Sequence, residues 1–356
     1  MGSGSKVRVM KLGASPKILL VKLSSLGDVL HNLPIVWDIR ARFPDAQIDW
    51  VVEEGYVHLL QPLLSRDGFR GIDRIIPFGL RRWKKSLFSL DSWCEFFAFK
   101  KNLQQVSYDV IIETQGLLKS ALVCSLAKKN PEAIVAGLAN ATEYSGYEPI
   151  ARIFYNQCVQ VPSQCHALDR SRYVTCSAFD WPLIDRLEDI RFYPNDYVQA
   201  ISAKQAVGMR QPYILFFHST AREAKRWSNQ HWVALGMALS DQGYQVVLPW
   251  GNASERAVSD ELAAHIPNAV VPQAFSIEEA FSVVANAALV IGVDTGLTHL
   301  SAVLNKPTIE IYCDSPRWKT EGYWSDLIRN IGDIKVPPST DDVIASAIEL
   351  LSAAKH

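Results

Sequence analysis

Residues 17–31 read KILLVKLSSLGDVLH. Lys17 to Leu23 form a strand-length apolar run, SSLGD interrupts it, and a helix-like stretch follows from about Val29 to Phe43. The apolar residues of the run do not alternate with polar ones. Such a strand is covered on both faces, as strands of a parallel sheet are. Strand, tight polar turn and helix are the opening of a doubly wound α/β unit.

The alternation continues outward. QIDWVVEE at 47–54 predicts a strand, VHLLQPLLSR a helix, IDRIIPF at 72–78 a strand, and 87–106 a long helix. YDVIIETQG at 108–116 predicts a strand, LLKSALVCSLAKK at 117–129 a helix and AIVAG at 133–137 a strand. Residues 139–211 are less regular, with Pro162, Pro182, Pro194 and Pro212 and a helix around 167–179. A second alternation then starts. Its expected strands are PYILFFHST at 212–220, YQVVLPWG at 244–251, the short AVVPQ, ALVIGVDTG at 288–296 and PTIEIYC. Its helices lie at 231–243, 255–266, 276–287, THLSAVLNK and 340–354. The fold class is therefore α/β, with two doubly wound Rossmann-like domains facing a central cleft. The expected divisions are 1–16, a flexible or vector-derived arm, 17–200 and 201–356.

Composition agrees with this class. The chain has 356 residues, 48% apolar and 21% charged, and a formal net charge of -1. These values exclude a disordered, collagen-like or long coiled-coil chain, and no nucleic-acid partner is expected. Six cysteines at 94, 124, 158, 165, 176 and 313 form no CxxC pair and read as reduced structural thiols in a cytosolic compartment. No apolar run reaches 18 residues, and residues 1–16 lack the apolar core of a signal peptide.

Ligands of doubly wound sheets bind at the carboxyl ends of the strands. The first half offers Ser24, Ser25, Gly27 and Asp28 there, followed by Gln115 and Lys119 in QGLLKS. Asp28 reads either as a general base or as a cap for orphan N–H groups. His31 shares its face or is a core histidine. The second half offers HSTAREAKRW at 218–227, either a diphosphate cradle or a solvated loop, and GVDTGLTHL at 292–300, whose helix start suits an anion. LRRWKK at 80–85 either holds an anionic ligand, rests on an acidic membrane surface, or is a solvated face. The P-loop, HExxH, EF-hand and GxSxG patterns are absent. The DTG triplet lacks the all-β setting of aspartic proteases. No DxD occurs, so a nucleotide-sugar diphosphate here would be neutralised by cations and helix ends rather than by a bridging metal.

Taken in order, KLSSLGDVLHNLP, IDWVVEEGY, LRRWKK, QGLLKSA, HST…KRW…HW, LPWG and VDTGLTHL resemble the bacterial lipopolysaccharide heptosyltransferases, glycosyltransferase family 9. The likeness spans Lys17 to about Ala354, and LRRWKK with VVEEGY favours the branch that adds the first heptose. The resemblance implies a GT-B fold with an amino-terminal acceptor domain and a carboxyl-terminal donor domain. It implies an inverting, metal-independent transfer of heptose from ADP-heptose to a Kdo residue of Kdo2-lipid A, with no cofactor. Asp28 is then the base. Lys225 contacts donor phosphate and sugar. Thr220, Ala221, Asp294, Thr295, Gly296 and His299 surround the diphosphate, and Glu255 meets the ribose. Ser25, Arg81, Arg82, Lys84, Lys85, Gln115 and Lys119 fall on the acceptor side. The family's second threonine is Ala221 here, which removes one hydroxyl from the donor site. The implied location is the cytoplasmic face of the inner membrane, with peripheral contact to its acidic surface. The alternatives are a second-heptose or protein heptosyltransferase, or a non-catalytic sugar-nucleotide-binding protein.

Overall fold

The computed structural model describes residues 12–85, 89–183, 190, 192–202, 209, 212–220 and 222–353. The chain forms two compact units, Met1–Leu187 and Glu188–His356. The division falls before the expected 200/201. The helix at Asn195–Ser202 packs on the helix at Ile277–Ala285, and Asn286 Nδ2 donates to the Ile201 carbonyl at 3.2 Å, which ties that helix to the second unit.

The first unit contains β1 (Lys17–Val21), β2 (Gln47–Glu53), β3 (Arg74–Phe78), β4 (Tyr108–Glu113), β5 (Lys129–Leu138) and β6 (Gln157–Val159). Its helices are α1 (Leu26–Leu30), α2 (Pro34–Arg42), α3 (Val57–Leu60), α4 (Leu80–Lys85), α5 (Leu90–Leu103), α6 (Leu118–Leu126) and α7 (Ala167–Ala178). The strands are all parallel, in the order β3-β2-β1-β4-β5-β6. Leu19, Val21, Val51, Ile111 and Val135 fill one face of the sheet together with Phe99, Leu103 and Val123 from α5 and α6.

The second unit contains β7 (Tyr213–Phe217), β8 (Gln245–Val247), β9 (Leu289–Val293), β10 (Thr308–Tyr312) and β11 (Ile328–Gly332). Around them lie α8 (Asn195–Ser202), α9 (Asn229–Asp241), α10 (Ala253–Ala263), α11 (Ile277–Ala285), α12 (Gly296–Val303) and α13 (Thr340–Ala353). The parallel order is β11-β10-β9-β7-β8. Phe216, Trp232, Leu235, Ile291, Ile311 and Leu350 form its core.

In each sheet the order reverses once, between β1 and β4 and between β7 and β9. The carboxyl ends of those strands are where a doubly wound sheet binds ligands. Val21 lies level with Glu113, and Phe217 with Gly292. The two switch points therefore present residues 22–28 with 114–119, and residues 218–225 with 294–299.

Some expected elements differ. AVVPQ supplies only a bridge at Val270 to β8, because Pro272 has no N–H to extend a ladder. VHLLQPLLSR is α-helical for one turn and then continues as a 3₁₀ turn, since Pro62 cannot bond back into the helix. The 117–129 helix stops at Leu126, and β5 begins at Lys129. α5 begins at Leu90 behind a Ser89 cap, and residues 86–88 lie outside the described residues. β6 and α8 fall in the irregular 139–211 stretch, and α4 and β11 lie where the sequence pattern marks no element.

Gly137 in β5 has no room for a side chain. A Cβ there would stand 2.4–2.6 Å from the Tyr155 ring, whose hydroxyl donates to Glu113 Oε2 at 2.5 Å. The ring cannot swing aside without giving up that bond. Gly137→Ala is expected to destabilise the protein by about 1–3 kcal/mol, read as a lower urea midpoint. An unchanged midpoint would show that the ring relaxes freely.

Candidate active site

At the first switch point Ser25 caps α1 and Asp28 is the third residue of that helix. Asp28 Oδ2 accepts from the Ser25 N–H at 3.1 Å and from Ser25 Oγ at 2.9 Å. Its other oxygen, Oδ1, faces Lys22 Nζ at 3.4 Å and Arg170 Nη2 at 3.5 Å. Arg170 is fixed in turn by Thr142 Oγ1 at 3.2 Å. The capping reading is realised, and the cap orients a carboxylate whose side chain is 35% exposed. Burial alone would raise the Asp28 pKa. Lys22, Arg170 and the two Ser25 bonds outweigh it and hold the carboxyl far below the usual range. Asp28 is thus ionised throughout the physiological pH range.

Lys22 is 1% exposed. Its ammonium also donates to the Thr114 carbonyl at 3.4 Å. Burial lowers its pKa to about 8 against the pull of Asp28, and Arg170 adds to the lowering.

Around this carboxylate the second-strand and fourth-strand loops converge. Gln115 Oε1 accepts from the N–H groups of Leu23 and Ser24, both at 3.1 Å, so Gln115 shapes the SSLGD turn. Lys119 Nζ donates to Ser24 Oγ at 3.0 Å and to Glu53 Oε1 at 2.8 Å. Glu53 also pairs with Arg81 Nε at 2.7 Å. Five of the sequence-derived residues, Ser25, Asp28, Arg81, Gln115 and Lys119, are therefore linked through Ser24 and Glu53. Arg82 is directed elsewhere, toward Glu54 at 2.6 Å and to Glu95. Lys84 and Lys85 are exposed on α4. The cationic run is thus partly neutralised by carboxylates of its own unit. His31 is buried, its ring edge-on to His166 at 5.6 Å.

The second switch point carries four side chains of alternating charge. Lys225 Nζ donates to Asp294 Oδ2 at 2.5 Å. Asp294 Oδ1 meets His299 Nε2 at 3.0 Å and Thr320 Oγ1 at 3.3 Å. His299 Nδ1 meets Glu310 Oε1 at 2.8 Å. Glu310 Oε2 accepts from the Tyr312 hydroxyl at 2.8 Å and the Gly322 N–H at 3.1 Å. Burial works against the His299 imidazolium, but Glu310 and Asp294 on its two nitrogens raise its pKa to about 10. Burial also works against the Asp294 carboxylate, and His299 with Lys225 holds it ionised, well below the usual range. The array is close to neutral as a whole and ends on the Lys225 ammonium.

Thr295 is the N-cap of α12 and makes no side-chain cap bond, and Gly296 is its first residue. The helix sits tightly on β9. A Cβ on Gly292 would lie 2.1 Å from Thr298 Oγ1, and that hydroxyl donates to the Val293 carbonyl at 2.8 Å. Thr220 follows β7, and Ala221 lies outside the described residues. Glu255 follows β8 at the start of α10, where its oxygens accept from the Gly251 N–H and Asn252 Nδ2, both at 2.8 Å. His218 is buried between Ser219 and Ser259, and burial with Arg226 nearby lowers its pKa to about 4. Trp227 is core, and its indole donates to the Pro338 carbonyl at 3.0 Å.

Sequence reasoning passed over Lys22, Arg170, Glu53, Glu310 and Thr320. Three of them carried a readable signal. A charged residue inside an apolar parallel strand, or at its very end, must find a counterion. Lys22 in KILLVKL, Glu53 in IDWVVEE and Glu310 in TIEIY are such residues. Arg170 and Thr320 lie in stretches whose local pattern says nothing about either site.

Among the described residues no group of three or more His, Cys, Asp or Glu side chains is arranged to hold a metal ion. No helix among them is long and apolar enough to cross a membrane.

Three comparisons bear on the site. The family model "Glycosyltransferase family 9 (heptosyltransferase)" matches residues 96–347. The chain is 38% identical to lipopolysaccharide heptosyltransferase 1 of Pseudomonas aeruginosa, over 83% of this chain and 78% of that protein. It is 35% identical to lipopolysaccharide heptosyltransferase 1 of Salmonella typhimurium, over 83% of this chain and 88% of that one. Among solved structures, that of E. coli heptosyltransferase WaaC with ADP superimposes with a TM-score of 0.77 at 30% identity, covering 94% of this chain and 99% of that one.

The His299 geometry gives a direct expectation. Because its pKa is raised, the stability it contributes is full below pH 6.5 and is lost as pH rises from about 6.5 toward about 10. Its ring nitrogens should show imidazolium chemical shifts by NMR at pH 8. A neutral ring at pH 7 would overturn the alternating-charge array.

Proposed function

The chain belongs to glycosyltransferase family 9, the heptosyltransferases, with the two parallel α/β sheets of the GT-B fold, and from that premise we propose the following reaction. The enzyme moves L-glycero-D-manno-heptose from ADP-heptose to a Kdo residue of Kdo2-lipid A, with inversion at the anomeric carbon. The acceptor belongs to the unit that carries Asp28, and the donor to the unit that carries Lys225 and Asp294.

The observation that carries this reading is the Asp28 carboxylate, ionised and partly open to solvent at a sheet switch point. Single-displacement inversion needs a base and no enzyme nucleophile. The acceptor hydroxyl gives its proton to Asp28 as its oxygen bonds to the anomeric carbon of heptose. The bond from that carbon to the diphosphate oxygen breaks, and ADP leaves with the electron pair. A base weakened by Lys22 and Arg170 suffices here, because the hydroxyl becomes acidic only once its bond to the electron-poor anomeric carbon is well advanced.

Negative charge builds on the departing diphosphate. Lys225, held by Asp294, and the free N–H groups at the start of α12 behind Thr295 and Gly296 supply the counter-charge where it develops. That supply takes the place of a metal. Thr220 lines the same phosphates, and Glu255 meets the ribose. His299 acts through Asp294. On the acceptor side, Ser25 and Gln115 set the SSLGD turn, while Arg81, Lys84, Lys85 and Lys119 meet the anionic groups of the glycolipid; Arg82, paired with Glu54 and Glu95, braces α4 behind them. The exposed Lys84 and Lys85 also suit peripheral contact with the acidic cytoplasmic face of the inner membrane.

Incubation with ADP-heptose and Kdo2-lipid A should give a singly heptosylated product. Preference for an already heptosylated acceptor would overturn the first-heptose reading. Donor binding without turnover of any acceptor would overturn transfer. Asp28→Asn should lower kcat by about 10²–10⁴-fold while ADP affinity and circular dichroism stay unchanged; near-normal turnover removes Asp28 as the base. Lys225→Ala should lower kcat by about 10²–10³-fold. A rise in acceptor KM alone would place Lys225 outside the leaving-group site.

A further inference from the structure

Beside the Asp28 site, within the same unit, α4, α5 and α6 enclose a cavity of about 630 Å³. Its wall is almost wholly apolar, with Phe78, Trp83, Phe96, Leu118, Leu122 and Leu126 among the lining side chains. Among the described lining residues Lys84 and Lys119 are the cations and Glu148 is the one anion, its carboxylate accepting from the Leu118 N–H at 2.5 Å. A sugar or a nucleotide placed there would leave its hydroxyls unpaired, at a substantial cost. The cavity opens beside an exposed apolar stripe on α5: Leu90, Trp93 and Phe97 are 82%, 53% and 59% exposed. Their spacing puts them on one helix face, and Trp93 also lines the cavity. An apolar patch of this kind on a soluble domain marks an interaction surface.

Lys119 connects this cavity to the chemistry. The residue lines the cavity, and its ammonium donates to Ser24 Oγ at 3.0 Å, one residue from the Ser25 that caps Asp28. Glu53 ties Lys119 to Arg81 on α4. A molecule with an apolar tail in the cavity would therefore carry its head past Lys119 toward Asp28, with the α4 cations alongside. With Glu148 already bonded to the Leu118 N–H, the apolar wall and the cations Lys84 and Lys119 fit one occupant, the acyl chain of a lipid whose anionic head lies toward Lys119.

We propose that this cavity is an acyl-chain subsite that holds one fatty-acyl tail of the glycolipid acceptor and so places the acceptor sugar at Asp28. The proposal rests on the acceptor reading given above and adds a second binding element to it. The tail supplies affinity that the headgroup contacts do not, so the enzyme distinguishes the acylated acceptor from the same saccharide stripped of its chains.

The test compares Kdo2-lipid A with its fully deacylated form, both in the same nonionic detergent. The native enzyme should show an acceptor KM about tenfold or more lower for the acylated form. Trp93→Ala with Leu122→Asn should raise the KM for the acylated acceptor about tenfold and move the KM for the deacylated one by less than twofold. Leu122→Trp, which fills the cavity with apolar mass, should do the same, so the result does not depend on one variant folding. Equal KM values for the two acceptors in the native enzyme would overturn the subsite, as would a loss shared equally by both acceptors in the variants. So would a dimer in sedimentation that these substitutions dissociate without any effect of acylation, because the face would then be covered by a second copy. Failure of the native enzyme to glycosylate either acceptor is a different result and overturns the acceptor reading itself.

Discussion

One oxygen of Asp28 is held between two cations, Lys22 at 3.4 Å and Arg170 at 3.5 Å. Most of the first unit's polar architecture follows from that contact. Two buried cations need a counter-charge, and a carboxylate so close to them stays ionised. Its second oxygen is occupied by Ser25, which fixes the rotamer through the helix cap. Ionisation is secured at the expense of basicity. The inverting transfer proposed above would tolerate this, since its base is needed only when the attacking hydroxyl has become acidic. Lys22, its pKa lowered to about 8 by burial, also makes the arrangement responsive to pH, because loss of its proton would remove one of the two cations that hold the Asp28 carboxyl ionised.

The second unit solves the same electrostatic problem with more residues. Lys225, Asp294, His299 and Glu310 alternate in sign, and each buried charge has a partner at 2.5–3.0 Å. The array is anchored at its inner end by Tyr312 and Gly322. Its outer end is an ammonium group whose position is set by three side chains behind it. A lysine on a 3₁₀ turn would otherwise sample many rotamers. In the transfer proposed above, ordering it in advance would remove that entropy from the step in which the leaving group departs.

Both arrangements depend on doubly wound sheets. Parallel strands covered on both faces leave few places for polar groups except beyond their carboxyl ends. The reversal of strand order opens a crevice at one position in each sheet. Apolar strands such as KILLV, YILFF and LVIGV thus fix where the chemistry has to be. The apolar cavity extends the same unit outward, with α5 exposing Trp93 and Phe97 while Trp83 of α4 stays buried.

The sequence alone determined the α/β class, most strands and the two polar switch points. Those features depend on local periodicity and on the side chains next to each strand end. It also marked Asp28, the HSTAREAKRW segment and the DTGLTH turn, because hydroxyls, glycines and charges directly after a buried strand are a local pattern; Lys225 stands apart from Arg222 and Arg226 only through the family resemblance. Tertiary structure decided the partners. Arg170 reaches Asp28 across 142 positions of chain and Lys225 reaches Asp294 across 69, separations over which no periodic signal survives. It also decided that Arg82 is spent on Glu54 and Glu95, that Gln115 shapes a turn, and that α4, α5 and α6 enclose an apolar cavity. Pairing of buried charges and closure of a cavity are set by distances in space, and a chain read in order shows only the residues that must be satisfied.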